Sequence, residues 1–164
     1  MKKLLLLRHG HAVDAHGEMT DVDRPLSTRG RAEALDAAQC IADARLRCDA
    51  LLASPAARTR ETATIVAAEL DFPDPIDFEP SLYLGDANAL LTAVGRCPDD
   101  HDTLLLIAHN PGLSELAQRF RGVVRGVVPP IELRTAGLCA VAFAAGAVWC
   151  ALRPELVTVF TLLR

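Results

Sequence analysis

The sequence predicts a three-layer α/β/α domain built on a mostly parallel sheet and closed by a C-terminal antiparallel hairpin. Two observations carry that prediction. Three apolar runs of strand length each stop at a polar turn and lead into a helical pattern: 4–7 before Arg8-His9-Gly10, 51–53 before Ser54-Pro55, and 104–108 before His109-Asn110-Pro111-Gly112. Two further apolar runs, 138–144 and 147–152, flank an Ala145-Gly146 turn and read as a hairpin. At 164 residues the chain suits one domain over 1–164, large enough to bury most of its apolar surface.

The elements follow in order. Met1-Lys2-Lys3 before four leucines imitates the start of a secretory signal, but the apolar run ends at Arg8, short of the roughly seven residues such a segment needs, and no small-residue cleavage site follows. It is read as the first strand. Residues 11–26 are polar and turn-rich, and a helix starts near Ser27 or Thr28, either able to cap it, running to about 44. A second strand is expected at 50–53, then a helix from Pro55 or Arg58 to 70; Pro55 is tolerated early because its missing N–H removes no bond. Three prolines make 71–80 a loop with at most a short strand at 76–78. A short helix is expected at 86–94, a third strong strand at 103–108 and a helix from the Asn110-Pro111-Gly112 turn to about 120. Val127-Val128-Pro129-Pro130 reads as a break, and the apolar tail 154–164 fits strand or helix equally well.

Composition removes several function classes. Hydrophobic residues make up 51% and charged residues 23%, a globular balance rather than a disordered one. A net charge of −4 disfavours a nucleic-acid footprint, which needs a basic face. No stretch approaches the roughly 18 consecutive apolar residues of a membrane span. The five cysteines are odd in number, widely spaced and without a Cys-x-x-Cys pair, which suits reduced thiols in a soluble cytoplasmic protein.

Ligand sites of open α/β sheets lie just beyond the carboxyl ends of the strands. Three strand ends meeting at one edge would gather Arg8, His9, Arg58 and His109 into a cleft. Two guanidinium forks suit phosphate oxygens, and an imidazole between them is a competent nucleophile near neutral pH, so phosphoryl transfer is the natural chemistry. Each residue also has a purely structural reading: the arginines could pair with carboxylates and His109 could be a satisfied histidine at a strand end. A metal site from His9, His11, His16 and His109 is disfavoured, because they lack i, i+4 spacing and no Cys pair joins them. No cofactor and no metal are expected.

In combination these segments resemble the histidine phosphatase superfamily, also called phosphoglycerate-mutase-like. The resemblance rests on Arg8-His9-Gly10, on Ser54-Pro55 with Arg58 and Thr62, on Ala108-His109-Asn110-Pro111-Gly112, and on Arg24-Pro25-Leu26-Ser27 with Gly30, in the family's order over residues 3 to about 115. It implies His9 as phosphoryl acceptor, with Arg8, Arg58 and His109 forming the phosphate pocket and Arg24 at the phosphate or the rim. The short length and Asn-Pro-Gly form are similar to the small bacterial branch that includes phosphohistidine phosphatases.

One departure concerns the general acid. Larger members carry a glutamate that protonates an alkoxide leaving group, and here Leu84 stands near that position in Ser81-Leu82-Tyr83-Leu84-Gly85-Asp86. Asp86 is the nearest substitute and Glu79 the next, although a carboxylate before a helix also serves as its cap. An alcohol leaves badly without a proton, whereas imidazole leaves readily, so a phosphohistidine on a protein partner is the expected substrate. The rivals are a small-molecule phosphomonoesterase using Asp86, a less favoured mutase, and a phosphate-binding module without turnover.

Overall fold

The structure, a computed structural model, describes residues 1–122 and 130–164. Six strands and four helices alternate along the chain: β1 Lys3–Arg8, α1 Thr28–Asp43, β2 Ala50–Ala53, α2 Ala57–Glu69, β3 Asp77–Phe78, α3 Ala87–Val94, β4 Thr103–Ala108, α4 Gly112–Arg121, β5 Leu138–Phe143 and β6 Val157–Leu162. They form one sheet in the order β3-β2-β4-β1-β5-β6. The first four strands are mutually parallel, and β5 and β6 are antiparallel additions at one side.

The leucine run of β1 explains the layering. In a strand, neighbouring side chains point to opposite faces, and a strand covered on both faces can be apolar at every position. Leu4 and Leu6 enter the core shared with α3 and α4, while Leu5 and Leu7 enter the core shared with α1 and α2. β4 alternates the same way, with Leu104 and Leu106 on one side and Leu105 and Ile107 on the other. The three-layer architecture and the parallel centre agree with the sequence reading.

Helix starts follow local chemistry. The Ser27 hydroxyl caps α1 by accepting from the Gly30 N–H at 3.1 Å, and the Asp86 carboxylate caps α3 by accepting from the Ala89 N–H at 2.8 Å. α2 begins at Ala57, so Pro55 lies before the helix and Arg58 is its second residue. Residues 147–152 are a turn rather than a strand. Trp149 there sits in a 3-10 turn, buried in the α3/α4 core, with its indole N–H donated to the His101 carbonyl at 2.9 Å. The return strand of the hairpin is instead β6, whose Val-Thr-Val-Phe-Thr-Leu composition is suited to a pleated edge. The break expected at 127–130 falls, for 127–129, outside the described residues. No helix among the described residues is long and apolar enough to cross a membrane.

Candidate active site

Parallel pairing brings three carboxyl ends to one edge of the sheet. Arg8 pairs with Ala108 and Ala53 with Ile107, so His9, Ser54 and His109 emerge side by side. The turn after His9 is pressed against the start of α1: a Cβ on Gly10 would meet the Gly30 carbonyl, and one on Gly30 would meet the His11 carbonyl. Only glycines permit that approach. The Gly10 N–H is donated to Thr62 Oγ1 at 3.1 Å, and the Thr62 hydroxyl is donated to the Arg58 carbonyl at 2.7 Å. Thr62 thus ties the turn to the first two turns of α2.

The hydrogen bonds show which nitrogen of each imidazole carries its proton. His9 Nδ1 donates to its neighbour's carbonyl, Gly10 O, at 2.7 Å, which leaves Nε2 as an unprotonated lone pair. Arg58 Nε approaches that lone pair at 3.3 Å. On His109 the Nε2–H is donated to Ser54 Oγ at 2.7 Å, and Nδ1 accepts from Arg58 Nη2 at 3.3 Å. The two rings lie 5.1 Å apart between centroids, with one guanidinium edge, Nε and Nη2, facing both. The opposite edge of Arg58 is held by Asp21, through its carbonyl to Nη1 at 2.6 Å and its carboxylate to Nη2 at 3.0 Å.

Arg8 enters from the other side. Its Nη1 is donated to the Leu133 carbonyl at 2.9 Å, while its buried Nε has no hydrogen-bond partner among the described residues. Asn110 donates to the same carbonyl at 2.8 Å. Arg24 sits at the rim, donating from Nε to the Val13 carbonyl at 2.8 Å and from Nη1 to Asp21 Oδ1 at 3.0 Å. Arg8, His9, Arg24, Arg58 and His109 line one open pocket of about 290 Å³, together with Leu84.

Both histidines are neutral at pH 7. Burial pushes His9 down to about 4 against the hydrogen bond to Gly10, with Arg58, Arg8 and Arg24 adding to the fall. Burial likewise pushes His109 down to about 3, aided by His9 and Arg58. His109 Nδ1 accepts from Arg58, and an arriving anion would supply the charge that favours its protonation. Asp21 is held at about 2, chiefly by the Tyr83 hydroxyl donated to Oδ2 at 2.8 Å, with Arg58 and Arg24 contributing.

The two carboxylates considered as acids are engaged elsewhere. Asp86 caps α3. Glu79 caps the short turn at Pro80–Leu82 by accepting from the Ser81 N–H at 3.0 Å, pairs with Arg96 at 3.0 Å, and lines a separate cavity of about 380 Å³ near the amino ends of β2 and β4. The Ser81 N–H holds its carboxyl below the usual range. Among the described residues the pocket wall carries one carboxylate, Asp14, exposed at the mouth. Leu84 takes the rim position with its side chain 58% exposed and φ at 51°, a left-handed backbone that leucine rarely adopts. Among these residues no group of three or more His, Cys, Asp or Glu side chains is arranged to hold a metal ion.

The model of the histidine phosphatase superfamily (branch 1) matches residues 4–83, and an uncharacterized protein of Picosynechococcus sp. is 35% identical over 117 residues, 71% of each chain. The chain belongs to the histidine phosphatase superfamily. A crystal structure of SixA from Agrobacterium tumefaciens, assigned there as a phosphohistidine phosphatase, superposes with a TM-score of 0.77 at 28% identity, covering 85% of this chain and 90% of that one. The protein histidine phosphatase SixA complexed with tungstate gives a TM-score of 0.74 at 20% identity, with 98% and 97% covered, a likeness of fold. Sequence reasoning named Arg8, His9, Arg24, Arg58 and His109, five of the six basic residues that line the pocket, and gave the sixth, His11, no part in it. It assigned no role to Ser54 and Thr62, and it missed Asp21 and Tyr83: Asp21 is 37 residues from Arg58, and Tyr83 is 62 residues from Asp21.

Proposed function

We propose that this protein is a phosphatase that passes a phosphoryl group through His9 Nε2 and acts on phosphohistidine in a protein partner. The observation that carries the reading is the pairing of one lone pair with one fork: His9 Nε2 stands free of its own proton, and the Nε/Nη2 edge of Arg58 spans it and His109 Nδ1. A phosphoryl oxygen entering between the rings would accept from that edge and from the unpartnered Arg8 Nε. His9 Nε2 then attacks phosphorus as the bond to the substrate nitrogen breaks, and the departing imidazole takes its proton from the medium. Water attacks the phosphohistidine in the second step, releasing inorganic phosphate and restoring neutral His9. The dianion raises the affinity of His109 Nδ1 for a proton, so this group becomes a donor to the phosphoryl oxygens only when substrate is present.

The choice of leaving group rests on Leu84 at the rim and on the commitment of Asp86 and Glu79 to other partners. Without a positioned acid an alkoxide leaves slowly, whereas imidazole does not need that help. We place this single domain in the cytoplasm, where its five free thiols stay reduced. The exposed Asp14 supports a second reading, a small-molecule phosphomonoesterase with Asp14 as acid. Turnover of a phosphohistidine peptide beside p-nitrophenyl phosphate and a sugar phosphate, with His9→Ala as control, separates them. Preference for the peptide supports the proposal; preference for the sugar phosphate that is lost in Asp14→Asn replaces it with the second reading. No turnover of any substrate leaves a binding module.

A further inference from the structure

Asp21 sits outside the pocket wall yet holds more of the phosphate-binding guanidinium than any other residue. Four contacts of Arg58 divide into two edges. Nε and Nη2 face His9 and His109 at 3.3 Å each, while Nη1 and the other side of Nη2 meet the Asp21 carbonyl and carboxylate at 2.6 and 3.0 Å. A planar fork clamped along one edge can rotate little about its axis, so the free edge is aimed. Asp21 is itself fixed: Tyr83 donates to Oδ2 at 2.8 Å and Arg24 to Oδ1 at 3.0 Å. The Tyr83 ring also stands edge-on to His109, 5.6 Å between centroids.

From this geometry we infer that Asp21 is a positioning residue: it aims the Nε/Nη2 edge of Arg58 at the phosphoryl group, and through Tyr83 it joins the polar 11–26 loop to the wall of the pocket. The inference rests on the reading of Arg58 as a phosphate ligand. It is opposed by a competing electrostatic effect. A carboxylate near an anion site repels the anion, so a merely electrostatic Asp21 would weaken oxyanion binding and its removal would tighten it. The sign of the change therefore decides between the two roles.

The test is tungstate affinity, measured by calorimetry on the wild type, Asp21→Ala, Asp21→Asn, Arg58→Ala and the Asp21→Ala/Arg58→Ala pair. Positioning predicts roughly tenfold weaker binding in Asp21→Ala, the scale of a charged hydrogen bond discounted for a half-exposed partner. Asp21→Asn, which keeps an oxygen for Nη2, falls between that and the wild type. In the Arg58→Ala background the loss of Asp21 adds nothing, because nothing remains to aim. Tighter binding in Asp21→Ala, or an additive loss in the double variant, overturns the inference. Asp21→Asn keeps the test valid if the alanine variant unfolds. Turnover does not enter this readout: a wild type that binds tungstate but hydrolyses no phosphohistidine ends the phosphohistidine reading while the cycle still judges Asp21, and a wild type that binds no tungstate ends both.

Discussion

At the scale of single residues, the proton on His9 Nδ1 is the decisive one. Its donation to the Gly10 carbonyl at 2.7 Å directs the reactive lone pair at the pocket, and burial keeps the ring neutral down to about pH 4. The free enzyme should therefore show kcat/KM flat from about pH 5 to 7 once the ionisation of the substrate is allowed for, with an acid limb near 4. A limb near 6.5 that follows His9 in an NMR titration would show that the pocket leaves the imidazole unperturbed. Leu84 offers a second test at this scale. If its place at the rim is the place of an absent acid, Leu84→Glu should raise hydrolysis of an alkyl phosphate at least tenfold, within the roughly 10²–10⁴ that a positioned acid supplies. Steady-state rates on an alkyl phosphate measure it directly. Arg8, His9, Arg58 and His109 were legible in the sequence because each lies within a few residues of a strand end marked by Gly or Pro. Asp21 and Tyr83 were not, since their partners are chosen by the fold of two loops rather than by any local pattern.

At the scale of elements, the site depends on how closely β1 and α1 approach. Gly10 and Gly30 pack backbone on backbone, with Ser27 capping α1 beside them, its hydroxyl donated to the His11 carbonyl and hydrogen-bonded to His11 Nδ1. Alanine within a helix ordinarily gains up to about 1 kcal/mol over glycine. Gly30→Ala should instead destabilise the fold by about 1–3 kcal/mol, because its methyl would displace the His11 carbonyl. Urea unfolding measures this, and an unchanged or raised midpoint would mean that the turn yields. The elements themselves were largely readable: β1, β2 and β4 by their apolar runs, and α1 and α3 by Ser27 and Asp86 as caps. The return strand of the hairpin was misplaced because 147–152 has the composition of a strand and spends it on burying Trp149 and Leu152 in the core. The two-residue β3 was visible only as the least turn-like part of a proline-rich loop.

For the whole molecule, the buried histidines link stability to pH. In the unfolded chain both titrate near 6.5; folded, they are depressed to about 4 for His9 and about 3 for His109. The unfolded state therefore binds more protons between these values. The stability they permit is fully present above about pH 6.5 and is lost as pH falls through about 4 and 3. Melting temperatures should decline over that window, and the decline should be shallower in His109→Gln; an equal slope in that variant would mean that other groups set the acid limit. The same pair of rings, buried at the one edge where three parallel strands end, is what makes the molecule an expected phosphoryl-transfer catalyst rather than a generic α/β domain.

The most direct measurement is a rapid acid-free quench of the protein with labelled phosphohistidine peptide, followed by peptide mapping and nitrogen-resolved NMR of the labelled site. Transient label is expected on His9 at Nε2, absent in His9→Ala and reduced in Arg58→Ala. Label on another residue, or turnover that persists in His9→Ala, would contradict it.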